Sequence, residues 1–199
     1  MKTLFNTVLK SGSMAIILLA SVFSLTASAA TVTADMSTGN PDIKKVIVTG
    51  NTKVTLIQGP KEHVTMDELD LDKVSLKQIG NTLTISSSES NPVTVFVYVK
   101  DIYRIAASDN AVVSTSGNFN LENLQVMLKD DASARVRANT GSLYTTINDR
   151  AKLELIGTSE SHVSRLAGLA KMDTDKFAAV KTDYVAVSDE VVAFNSTKK

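Results

Sequence analysis

Four aspartates recur at near-regular intervals, Asp109, Asp130, Asp149 and Asp189, each followed two residues later by Ala or Val. Carboxylates stacked at a fixed spacing can hold a hard cation such as calcium through oxygen ligands. Set in pairs, they can instead cleave a glycosidic bond as acid and nucleophile or base. With Asp131 and Arg150 beside them, Asp130 and its neighbours are the residues a polysaccharide lyase or glycoside hydrolase would use. Three features oppose both chemistries. Gly168 interrupts the row, the Gly-rich calcium nonapeptide is missing, and Lys129 and Arg150 stand next to the acids. Asp also tolerates left-handed backbone angles, so a corner of the chain needs it for geometry alone. Exposed neighbours one strand apart would repel by only about 0.8 kcal/mol in water, which needs no metal to offset. Asp109, Asp130, Asp131, Asp149 and Asp189 therefore read first as corner residues, with no catalytic, cofactor or metal site assigned.

His63 and His162 are the only histidines. A hydrolase would pair His162 with Ser161 or Ser164 and an acid, but no Gly-x-Ser-x-Gly elbow is present. His162 occupies the place held by Leu124 and Leu143 in earlier repeats, which points to packing. Tyr98, Tyr103, Phe119, Tyr144, Phe177 and Tyr184 share no single register position, so no sugar-stacking ladder is legible. Lys198-Lys199 is too short a basic tail for a membrane or nucleic acid, and the Asn195-Ser196-Thr197 sequon reads as chance.

The elements that would position these residues form a repeat. The tags are Asp109-Asn110-Ala111, Asp130-Asp131-Ala132, Asp149-Arg150-Ala151, Gly168-Leu169-Ala170 and Asp189-Glu190-Val191, in steps of 21, 19, 19 and 21 residues. Four positions before each tag stand Ile105, Val126, Thr145, Ser164 and Val185; two before stand Ala107, Leu128, Ile147, Leu166 and Val187. Four after it come Val113, Ala134, Leu153, Met172 and Ala193. Polar residues such as Lys129, Asn148 and Lys152 lie between, the alternation of a strand with one buried face. A period near twenty with alternation inside it predicts a right-handed, single-stranded β-helix or β-solenoid, about 20 residues per coil. Gly117, Ala138, Gly157 and Lys176, eight residues after each tag begins, mark an expected second corner.

Upstream, Ile43–Thr49 and Thr52–Gln58 flank Gly50-Asn51, and Val74–Ile79 and Thr82–Ser86 flank Gly80-Asn81; both pairs predict hairpins. Val93–Val99 is the strongest strand signal, and only Met66–Lys73 leans towards helix. This hairpin-rich module would cap the first edge of the stack.

The chain has 199 residues with 21 basic against 21 acidic, a balance that marks no nucleic-acid binder. Without cysteine there is no disulfide scaffold, thiolate metal site or Cys nucleophile. Lys2 and Lys10, an apolar run from Met14 to Thr26 and Ala27-Ser28-Ala29 form a secretory signal, with no membrane span expected after cleavage. Losing those two lysines and no acid leaves 19 basic against 21 acidic residues, a net charge of −2. The expected order is signal 1–29, flexible leader 30–42, β domain 43–195 and polar tail 196–199. Within the domain, 43–100 is the opening module and 101–195 the five coils.

Val46-Ile47-Val48-Thr49-Gly50-Asn51, followed by Val54-Thr55-Leu56-Ile57-Gln58-Gly59 and then the repeated tag, resembles the head GIN domain family of putative auto-transporter adhesins. The resemblance spans about residues 43 to 195. It implies an exported β-solenoid, with Asp standing four times where that family tends to carry Gly. The function expected is non-enzymatic, an adhesin-like, ligand-binding or structural role in the cell envelope, periplasmic or at the cell surface. A glycan or an envelope protein is the partner class, and open coil ends would allow a homo-oligomer. The enzyme alternative is the lyase or hydrolase built on Asp130, Asp131 and Arg150.

Overall fold

The computed structural model describes residues 31–35 and 41–185, and the fold is all-β. The strands are β1 (Thr31–Asp35), β2 (Lys45–Gly50), β3 (Thr52–Gln58), β4 (His63–Asp67), β5 (Ser75–Ile79), β6 (Thr82–Ser87) and β7 (Val93–Val99). They continue with β8 (Arg104–Ala107), β9 (Val112–Ser116), β10 (Phe119–Leu128), β11 (Ser133–Ile147), β12 (Lys152–Leu166) and β13 (Lys171–Tyr184). A 3₁₀ turn over Glu68–Lys73, capped by the Asp67 carboxylate on the Leu69 N–H, takes up the one helical tendency.

Two runs of strands enclose the core. In one, β6, β2, β8 and the second halves of β10, β11 and β12 pair in parallel. In the other, β7, β3, β9 and the first halves of β11, β12 and β13 do the same. The register stacks like on like. Ile105 lies against Val126, then Thr145, then Ser164; Ala107 against Leu128, Ile147 and Leu166; Val113 against Ala134, Leu153 and Met172. Ile105, Val126, Leu128, Ile147, Val113 and Leu153 are at most 2% exposed and join one apolar cluster. Each larger aliphatic buried this way stabilises the fold by about 1.5–3 kcal/mol, and the alternating outward residues keep the two faces distinct.

Antiparallel strands close the first edge. β1 pairs β4, β4 pairs β7, and β5 pairs β6 through the Gly80-Asn81 hairpin, as the sequence predicts. Residues 31–35, within the segment read as a flexible leader, form β1 because their backbone completes the free edge of β4.

The structure corrects three further expectations. Gly50-Asn51 does not make a hairpin: β2 and β3 each pair in parallel with other strands. Gly50, at φ 70°, turns the chain from one run to the other, and a Cβ there would lie 1.9 Å from the Ser87 carbonyl. Residues 43–100 thus join the same sheet, β2 pairing with β8 and β3 with β9, while their antiparallel strands lie at the first edge. The second-corner column is also shifted, because Ala138 lies against Phe119 and Gly157 against Phe177. Two extra residues at Gly117-Asn118 loop out between β9 and β10, which changes the offset from 21 on one side to 19 on the other. Last, a bulge opposite Glu154–Ile156 advances β13 by one residue, so Tyr184 and not Val185 faces Ser164. Val187, Asp189, Ala193, the sequon, the tail and the signal segment lie outside the described residues.

Candidate functional site

Each complete tag folds as a four-residue turn. The Ala111, Ala132 and Ala151 N–H groups donate to the Ser108, Lys129 and Asn148 carbonyls at 3.2, 3.2 and 3.1 Å. Asp109, Asp130 and Asp149 take φ of 58°, 58° and 59°, a left-handed angle that disfavours β-branched side chains. The Ala at the end of each tag is fully buried, so the corner closes on a methyl group.

The carboxylates are engaged by backbone one repeat back. Oδ2 of Asp149 accepts from the Asp130 N–H at 3.0 Å, Oδ2 of Asp130 from the Asp109 N–H at 3.2 Å, and Oδ2 of Asp109 from the Gly50 N–H at 2.9 Å. These form a directional ladder in which every rung satisfies a donor that the turn would otherwise leave to water. Gly168 carries no carboxylate to continue it to the Asp149 N–H. Among the described residues no three His, Asp or Glu side chains converge as a metal would require.

Asp131 and Arg150, from adjacent tags, do meet. Arg150 donates from Nε and Nη2 to the two Asp131 oxygens at 2.6 and 2.5 Å, a fork-to-fork pair on the exposed corner. That hydrogen bond holds the Asp131 carboxyl below its ordinary range and raises the guanidinium. A glycosidase needs one carboxyl raised so that it arrives protonated. Asp131 is shifted the opposite way, and the oxygen of Asp130 is on a backbone N–H. The contacts these corner carboxylates make are to the backbone of the neighbouring turn and to Arg150.

The two histidines are far apart in role. His162 is buried, with its Nε2 3.0 Å from Thr145 Oγ1 and its ring edge-on to Phe177 at 5.3 Å. Burial pushes its pKa down. Thr145 Oγ1 donates to Ser164 Oγ at 3.1 Å, and Ser161 accepts at its carbonyl from Ser159 Oγ. Among the described residues no carboxylate is a hydrogen-bond partner of this cluster. His63 stacks on Tyr98 on the outer face, centroids 3.9 Å apart and planes at 11°.

Sequence reasoning missed two polar features. Glu62 is 2% exposed and accepts from the Ile43 N–H with both oxygens, at 3.1 and 2.9 Å. No periodicity marks it. Asn120, Asn139 and Thr158 form an amide ladder, each bond 3.1 Å, and its 19-residue spacing was open to reading.

Residues 42–199 match the family model described as "Putative auto-transporter adhesin, head GIN domain". The chain belongs to this family. Solved structures show the same fold as this head GIN domain. One is a putative adhesin from Bacteroides fragilis, TM-score 0.62 and 13% identity, covering 80% of this chain and 79% of that one. A second is a putative lipid binding protein from Parabacteroides distasonis, TM-score 0.58 and 13% identity, covering 78% of each. A third is a putative adhesin from Parabacteroides merdae, TM-score 0.57 and 14% identity, covering 79% and 77%. A comparison of this head GIN domain with curated proteins finds no match.

Proposed function

We propose that this head GIN domain is a non-enzymatic, exported binding scaffold of the cell envelope, wound as a β-solenoid of about 20 residues per coil. The observation that carries the reading is the use to which the corner acids are put. In a chain whose family is named for adhesion, the residues best placed for chemistry are bound to their own backbone or to Arg150. Offsets of 19 and 21 residues between paired strands support the coil. Stacked repeats leave a long, regular outer face, the surface such proteins use for recognition. The partner class is a glycan or an envelope protein, and the site of action is the periplasm or the cell surface.

A direct test incubates the purified full chain with a panel of envelope polysaccharides, with and without calcium, and follows binding and polymer length together. Retention of a polysaccharide at unchanged length is the expected result. Shortening of a polymer that is lost in Asp130→Asn would replace the scaffold with the lyase or hydrolase reading.

A further inference from the structure

The outer face over β3, β9, β11 and β12 carries a feature the corner does not share. One outward row runs across the strands as Lys53, Val112, Ser133, Lys152 and Lys171. The next holds Thr55, Ser114, Arg135, Glu154 and Asp173. Val112, Ser114 and Ser133 are the short side chains of the middle strands, with Lys53 to one side of them, Lys152 and Lys171 to the other, and Arg135 next to Ser133 on β11. The result is a trough of about 480 Å³ with Val112, Ser114 and Ser133 on its floor, Lys53 on one side, Lys152 and Lys171 on the other, and Arg135 at the end of the floor along β11. Lys53 and Lys152 are three strand steps apart, about 14 Å at the usual spacing. Arg137 follows Arg135 as the next outward cation along β11.

Charge on this face is unbalanced where it matters. Among the described residues Lys53, Arg137, Lys152 and Lys171 have no ion-pair partner, and all four are exposed. Glu154 is shared between Arg135 at 3.5 Å and Lys176 at 3.8 Å. Asp173 accepts from the Asp175 N–H, and Asp131, the neighbouring corner acid, is held by Arg150. Beyond β3 the same face ends in aromatics: Phe96 stands beside Thr55 and is 40% exposed, and Tyr98 is stacked with His63. Because Val95, Val97 and Val99 are buried, both aromatics point outward.

We propose that this face binds an acidic polysaccharide, an extended chain of carboxylate-bearing sugars laid in the trough. Cations at the sides meet the carboxylates, hydroxyls of Thr55, Ser114 and Ser133 meet sugar hydroxyls, and the Phe96–Tyr98 end offers ring faces for stacking. A concave floor between raised cations suits a chain one sugar wide better than a flat bilayer. The proposal rests on the scaffold reading and specifies its ligand.

The test titrates the purified full chain with polygalacturonate, neutral dextran and phosphatidylglycerol vesicles, at low and at physiological salt. Polygalacturonate should bind saturably and more weakly as salt rises, and dextran should not. Combined Lys53→Gln, Arg137→Gln and Lys152→Gln should weaken it about tenfold, from three exposed contacts of ordinary strength. A control removing equal charge elsewhere, Lys77→Gln, Arg165→Gln and Lys181→Gln, should bind as the parent does. Ser133→Glu, which puts an acid on the floor, gives an independent route to the same loss. Retained binding in both trough variants, equal loss in the control, or vesicle binding without polygalacturonate binding would overturn the proposal. Binding to an envelope polysaccharide that ignores the trough variants would leave the scaffold reading standing, whereas shortening of the polymer would remove it.

Discussion

Substituting Asp130 separates a corner residue from a ligand. Its φ of 58° is one that Gly adopts freely, Asn and Asp tolerate, and Val resists by about 1–2 kcal/mol. Its Oδ2 bond to the Asp109 N–H, 3.2 Å long and on the surface, adds about 0.5–1.5 kcal/mol. Asp130→Val loses both, so its unfolding free energy should fall by about 2–3 kcal/mol. Asp130→Asn keeps an oxygen acceptor and the tolerated angle, and should stay within about 0.5 kcal/mol of the parent. Asp130→Gly loses the bond but not the angle, and should fall between them. For a chain of this size each kcal/mol moves Tm by about 2–4 °C, so Val should melt about 4–12 °C below Asn. Urea unfolding followed by circular dichroism, with thermal melts beside it, reads the order. Equal stability of Val and Asn would refute the corner argument. A calcium-dependent rise in Tm that disappears in Asp130→Asn would refute it in favour of a metal site.

Other positions give sharper local tests. Glu62→Ala leaves the buried Ile43 N–H without an acceptor and should cost about 1.5–3 kcal/mol by urea unfolding, while Glu62→Gln, which keeps one oxygen, should cost less. His162 has a pKa lowered below its ordinary 6.5 by burial, so the unfolded chain takes up the proton first. Stability should therefore be full above that value and decline as pH falls below it, and His162→Leu should flatten this part of a Tm-against-pH curve. Gly157→Ala, with φ 117° and a Cβ 2.2 Å from the Ala138 carbonyl, should lower Tm clearly more than Gly117→Ala, whose Cβ meets nothing within 4 Å.

The interior was legible because parallel stacking at a near-constant offset puts chemically alike residues one above another. Ile105 and Val126, or Leu128 and Ile147, could be aligned before any coordinates. Asp109, Asp130 and Asp149 were legible as a column for the same reason, but their carboxylates' acceptor role was not, since the donors lie one repeat back in the chain. Gly50-Asn51 misled because Gly-Asn serves a hairpin and a corner equally well, and only the partners of β2 and β3 decide. The Gly117-Asn118 insertion and the bulge before Lys176 shift the register by one or two residues, which a fixed period cannot register. Glu62 belongs to no repeat. The trough depends on which short residues fall between Lys53 and Lys152, which are separated by about half the chain in sequence.

Corners that hold the chain and a face proposed to recognise a ligand are separate parts of the molecule. A single titration with polygalacturonate, followed by sizing of the same polymer, addresses that division. The variant with Asn at 109, 130 and 149 should bind as the parent does and the Lys53, Arg137, Lys152 variant about tenfold more weakly, with the polymer unshortened throughout. Loss of binding or of polymer cleavage in the Asn variant, with the trough variant unaffected, would contradict it.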